Sequence, residues 1–246
     1  MYSQGYFTQS ISPEGRQQAS YETINLDETA LHPVFRSKED DDFLVSVPLG
    51  DRIITVKVWH LQIGKTDLFL MDTDLEQNQP EDRELSYRLY DTDRDLRLRQ
   101  EIVVGMGSVR VLRALEIHPS VWHLNEGHSS FALVELIREK VAEGYTFADA
   151  KEFVKKHSAF TTHTPVPAGH EEFDVFLIEK YFEPVWKGLG IHESNRYERK
   201  TKITSFFAMI TRKHTKTPTV NRKTVMHSKF HRKISYCFIL KLRIGL

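Results

Sequence analysis

The chain has 246 residues, 34 Lys and Arg against 34 Asp and Glu, and a formal net charge of zero. A hydrophobic fraction of 40% fits a globular protein, and the neutral balance excludes a whole-chain bias towards nucleic acid or a membrane surface. No apolar run reaches the roughly 20 residues of a membrane helix, and Met1 to Ser12 lacks a basic and then apolar leader, so a soluble, cytoplasmic protein is expected.

In chain order, the first organised segment is extended. Phe43 to Val47 and Arg52 to Trp59 are rich in β-branched residues, and Pro48-Leu49-Gly50-Asp51 between them has turn chemistry, which predicts a hairpin. Thr66 to Asp72 is a third short strand, followed by an acidic loop that runs up to Pro80. Glu81 to Tyr90 and Asp95 to Leu115 read as helices, the second with Leu98, Ile102, Met106, Val109 and Leu112 on one stripe. Val121 to Leu124 is the next strand. Helices over Ser129 to Val141 and Thr146 to Lys156 follow, Thr146 supplying a start signal, and then a strand over Ala159 to Thr162. Alternating strands and helices predict an α/β fold with a mainly parallel sheet and flanking helices.

Two segments concentrate the polar chemistry. Trp122-His123-Leu124-Asn125-Glu126-Gly127-His128-Ser129 and Phe160-Thr161-Thr162-His163-Thr164-Pro165-Val166-Pro167 are apolar runs that stop in histidine-bearing turns. Each has the form of a strand that delivers side chains to a site at its carboxyl end. In the first, Asn125, Glu126 and His128 surround a flexible Gly127 and could face an anionic or hydroxyl-rich ligand. Alternatively, Asn125 and His128 settle the turn while Ser129 caps the next helix. In the second, the prolines fix the backbone around His163, either to aim a carbonyl at a substrate or to make a stiff surface turn.

A metal centre is the competing chemistry, since His123, His128, His157, His163, His170 and Glu126 are available. His123 and His128 lie five apart across a strand-to-helix junction, not one helical turn apart, and no cysteine accompanies them; no metal is expected. Gly105-Met106-Gly107 lacks the third glycine and the preceding strand of a dinucleotide fingerprint, which leaves close helix packing as its reason.

The two histidine turns, together with Tyr2 to Gln9, Pro80 to Leu85 and Leu96 to Gly105, resemble the α-glucan (glycogen and maltodextrin) phosphorylases, in family order up to about Ile191. The resemblance implies part of a Rossmann-like lobe of a GT-B glycosyltransferase that releases glucose 1-phosphate from terminal α-1,4 links with orthophosphate. It also implies pyridoxal phosphate as cofactor, bound through a lysine of a second lobe. On this resemblance the chain is an internal piece of the first lobe, and neither the glycine-rich segment nor the cofactor lysine is expected in it. Sheet edges would then be uncovered and the fragment inactive alone.

By the same resemblance His163, with Thr164 beside it, would hold the glucosyl unit near its 6-hydroxyl and anomeric centre. Asn125, Glu126 and His128 would line the pocket beyond the anomeric carbon. Tyr90-Asp91-Thr92-Asp93 would be a loop at the cleft mouth, with Asp91 and Asp93 near the glucan; relatives carry glycines where Asp91 and Thr92 stand. Implied partners are α-1,4-glucan and orthophosphate, with a homo-oligomer possible and neither nucleic acid nor membrane. A non-catalytic carbohydrate-binding or interaction module stays open as the other function class.

Charge divides the chain. Residues 196–246 hold 14 of the 34 basic residues and one acid, Glu198, so residues 1–195 carry about −13 and the remainder about +13. A basic binding arm, a solvated tail and an out-of-frame translation are the three readings, and we favour the last because charge and resemblance break together. The expected division is residues 1–195 as the partial lobe and 196–246 as a basic, non-homologous tail. The single cysteine, Cys237, falls in the tail and excludes a disulfide framework within the chain.

Overall fold

The computed structural model describes residues 6–22, 24–35, 42–88, 92–161, 163 and 173–191. Strands β1 (Tyr6–Ile11) and β2 (Gln17–Glu22) form an antiparallel hairpin, and β3 (His32–Pro33) is a short edge piece. Strands β4 (Leu44–Leu49), β5 (Arg52–Ile63) and β6 (Thr66–Asp72) build an antiparallel sheet around β5, which β3 joins at His60 and Trp59. Two-residue turns set this register, pairing Leu49 with Arg52 and Ile63 with Thr66. Each needs a left-handed residue, supplied by Gly50 and Gly64, both with φ 63°.

The period-2 pattern of these strands becomes one apolar face. Val45, Val47 and Leu49 of β4, Ile54, Val56 and Val58 of β5, and Leu68 and Leu70 of β6 are all buried. Against that face lies α2 (Arg94–Ala114), with Leu98, Ile102, Met106, Val109 and Leu112 no more than 1% exposed. On the far side of α2 lies α3 (Phe131–Ala142), with Gly105 at the crossing: a Cβ there would stand 2.6 Å from the Phe131 Cβ and 2.7 Å from the Ala132 nitrogen. Gly105 thus serves helix packing as expected, whereas Gly107 faces the sheet, where a Cβ would stand 3.2 Å from Met71 Sδ and Val47 Cγ2.

Between the two helices the chain forms β7 (Trp122–Asn125), which pairs in parallel with β8 (Ser158–Thr161) after the crossover through α3 and α4 (Phe147–Lys156). Thr146 caps α4, its hydroxyl accepting the Asp149 N–H at 3.2 Å. Finally α5 (Val175–Gly188) closes the core. Phe182 packs on Phe131 with ring centroids 5.3 Å apart, and the Gly50 N–H donates to the Tyr181 carbonyl at 3.0 Å. At the head of α2, Asp95 accepts from the Tyr181 hydroxyl at 2.7 and 2.8 Å and from Lys180 at 2.9 Å. Arg99 Nε stands 2.9 Å from Asp95 as an ion pair without hydrogen-bond alignment. Burial opposes the charge on Asp95, but the hydrogen bonds from Tyr181 and Lys180 prevail and hold its carboxyl below the ordinary aspartate value.

The α/β class holds, but the expected mainly parallel sheet does not. Among the described residues only β7 and β8 run parallel, and the larger sheet is antiparallel because its strands are joined by two-residue turns too short for a crossover. The helix expected over 81–90 is also shorter. It is α1 (Pro80–Arg83) and a single 3-10 turn over Glu84–Ser86. There Gln100 Nε2 donates to the Leu85 and Arg88 carbonyls at 3.2 and 2.8 Å, satisfying acceptors that a longer helix would have bonded itself.

Candidate functional site

The candidate site forms where β7 and β8 end side by side. Along β7 the buried Trp122 and Leu124 alternate with exposed His123 and Asn125, so the strand anchors on one face and presents polar groups on the other. His123 Nε2 meets the Thr161 hydroxyl of β8 at 2.6 Å, and the Glu126 N–H donates to the Thr161 carbonyl at 2.8 Å, extending the parallel ladder by one residue.

The backbone then breaks from the strand abruptly. Glu126 has φ 61° and ψ 171°, a region that only glycine visits freely and that costs another residue on the order of 1–3 kcal/mol. After it comes a 3-10 turn over Gly127–Ser129, holding the half-buried His128, and then α3. The Ser129 hydroxyl donates back to the Asn125 and Glu126 carbonyls at 3.1 and 3.0 Å. It therefore braces the turn and does not cap α3. Ser130 stands at the cap position and makes no side-chain capping bond.

Across from this turn, His163 is bonded at two points. Its main-chain N–H donates to Glu126 Oε1, and its ring Nε2 lies 3.1 Å from Asn125 Oδ1. Three of the residues singled out in the sequence, Asn125, Glu126 and His163, thus form one cluster at the carboxyl end of two parallel strands, with Asn125 and His163 exposed and Glu126 half-buried. It offers an imidazole, a carboxylate and a carboxamide, the donors and acceptors that a hydroxyl-rich ligand needs.

The other expected residues divide. Asp93 is the N-cap of α2, its side chain accepting the Asp95 N–H at 2.8 Å. Asp91 and Thr164, together with Tyr90, His170 and the prolines at 165 and 167, lie outside the described residues. His157 ends α4, its Nδ1 2.8 Å from the Phe153 carbonyl and its ring stacked on Phe153. Sequence reasoning missed Thr161 and Ser129 as braces of the site. Their signal was the strand-end position opposite Asn125 and the hydroxyl within one turn of it.

No family model matches the chain. It is 40% identical over 189 residues to a maltodextrin phosphorylase of Thermococcus litoralis, covering 77% of this chain and 23% of the relative. It is 37% identical over 187 residues to a glycogen phosphorylase of Mycobacterium tuberculosis, covering 73% and 22%. A glycogen phosphorylase of Aquifex aeolicus is 40% identical over 184 residues, covering 74% and 26%. The similarity to phosphorylases extends over about three quarters of this chain, which spans about a quarter of the length of these curated relatives.

Proposed function

We propose that residues 1–195 are part of the glucan-binding first lobe of an α-glucan phosphorylase of the GT-B type, and that Asn125, Glu126, His128 and His163 are its sugar-facing residues. The observation that carries this is the meeting of Asn125, Glu126 and His163 at the ends of β7 and β8, where Glu126 takes a backbone conformation of φ 61° and ψ 171° that favours glycine. Curated relatives named glycogen and maltodextrin phosphorylase support the reaction class. Asp91, Asp93 and Thr164 belong to the proposal as groups at the rim.

In such an enzyme the terminal glucosyl unit passes through an oxocarbenium-like state, stabilised by fixed acceptors near the anomeric carbon and then captured by orthophosphate. The imidazole of His163 binds a sugar hydroxyl, and the Glu126 carboxylate keeps the His163 main chain in place. Pyridoxal phosphate supplies the proton relay in full-length phosphorylases. The cluster of Asn125, Glu126 and His163 has an imidazole, a carboxylate and a carboxamide but no amine to hold an aldehyde cofactor, so it does not fit that group. The chain then binds glucan without turning it over.

The test is a titration of the isotope-labelled chain with maltoheptaose, followed at the amides of Asn125, Glu126 and His163. Saturable shifts at these amides, absent with a β-1,4-linked glucan and weakened about tenfold by His163→Ala, are expected, as is no glucose 1-phosphate after addition of orthophosphate. Equal response to both glucans, or none at these residues, overturns the binding site. Released glucose 1-phosphate overturns the assignment of half a cleft.

A further inference from the structure

We propose that Asn125 and Glu126 are positioning residues, a two-point clamp that holds His163 in one ring tautomer and one main-chain position. The clamp is read from the geometry alone; its use for a sugar rests on the function proposed above.

One point is the ring. An imidazole nitrogen facing a carboxamide oxygen at 3.1 Å donates, so Asn125 Oδ1 selects the Nε2–H form of His163 and leaves Nδ1 with its lone pair. A bare Nδ1 is an acceptor for a ligand hydroxyl. The ring therefore meets the ligand with its polarity fixed in advance.

The other point is the main chain. Glu126 Oε1 accepts the His163 N–H, a hydrogen bond between the residue that follows β7 and the one two places beyond the end of β8. An acceptor that bears charge makes this a strong hydrogen bond. It accompanies the conformation of Glu126, φ 61° and ψ 171°, which takes the residue out of the strand's alternation. Ser129 and Thr161 complete the frame: the first donates to the Asn125 and Glu126 carbonyls, and the second accepts the Glu126 N–H at its carbonyl. Consecutive residues, one holding the ring and one the backbone, leave His163 little freedom to turn.

The experiment uses the full 246-residue chain, histidine-labelled with nitrogen-15. The expected result is a single Nε2–H tautomer for neutral His163 and, in Asn125→Ala, tautomer averaging with the fold unchanged. The His163 amide should exchange about tenfold faster in Glu126→Ala and near the wild-type rate in Glu126→Gln, which keeps an acceptor oxygen. An Nδ1–H tautomer, an averaged ring in the wild type, or equal amide exchange in Glu126→Ala and wild type overturns the clamp. The wild-type tautomer decides even if a variant fails to fold. The glucan titration is read separately, so a fixed ring in a chain that ignores maltoheptaose overturns the proposed function and supports the clamp.

Discussion

At residue 126 the backbone and the side chain pull in opposite directions. The conformation at φ 61° and ψ 171° favours glycine, whereas the carboxylate bonded to the His163 N–H needs glutamate. Replacing Glu126 by alanine removes the hydrogen bond and keeps the strain; replacing it by glycine removes both. Glu126→Gly should therefore be the more stable of the two by about 1–3 kcal/mol in urea unfolding, the reverse of the usual ranking, in which glycine loses more entropy on folding. Equal stability of the two variants would mean that the backbone at 126 is relaxed. This residue was legible in the sequence as a site candidate, because a carboxylate next to Gly127 and two residues from His128 is unusual at a strand end. Its strain was not legible. Gly127 is the residue that a sequence reading assigns to backbone freedom, yet in the structure the residue before it takes the left-handed position.

Among the elements, the contact of α2 with α3 gives the sharpest test. Gly105 faces the Phe131 and Ala132 backbone so closely that a Cβ would lie 2.6–2.8 Å from three atoms of α3, none of them the end of a flexible side chain. Alanine is the better helix former by up to about 1 kcal/mol, so propensity alone predicts that Gly105→Ala stabilises. Overpacking of this kind costs about 1–3 kcal/mol and sometimes more, because the helices must separate along their whole contact. The expected outcome is a net loss of stability in thermal or urea unfolding, and a gain would mean that α2 and α3 are not in register at Gly105. Helix α2 was readable from the stripe of Leu98, Ile102, Met106, Val109 and Leu112, and β4 to β6 from alternation and turn residues. Helix α5 was not read, although Asp174 gives a cap signal, its side chain accepting the Phe176 N–H at 2.8 Å. Its aromatic, half-apolar sequence and the internal Pro184 obscure the helical period. The hairpin of β1 and β2 escaped for the opposite reason: from Thr8 to Ser10 and from Gln17 to Ser20 its described side chains are exposed, so no apolar alternation marks it.

For the whole molecule, the open question is the relation of the acidic body to the basic stretch. Among the described residues, apolar burial is continuous from Val47 through α2, α3 and α5 to Ile191, which is 2% exposed. The charge break falls a few residues later, and the match to the relatives covers at most 189 residues. We therefore propose 1–195 and 196–246 as separate units. A chain ending at Asn195 should unfold with a free energy within about 0.5 kcal/mol of the full chain, the scale of surface changes that touch no core. The opposing expectation comes from charge alone. About −13 on one part and +13 on the other attract, and a tail docked on the acidic surface would add stability that salt removes. Unfolding both chains at low salt and at about 1 M salt, where the screening length falls to about 3 Å, separates the two. A loss above about 1 kcal/mol on truncation that disappears at high salt would mean electrostatic docking, whereas a loss that persists would mean apolar packing of the stretch on the body. Either result would make the body and the stretch one cooperative unit and overturn the division at residue 195.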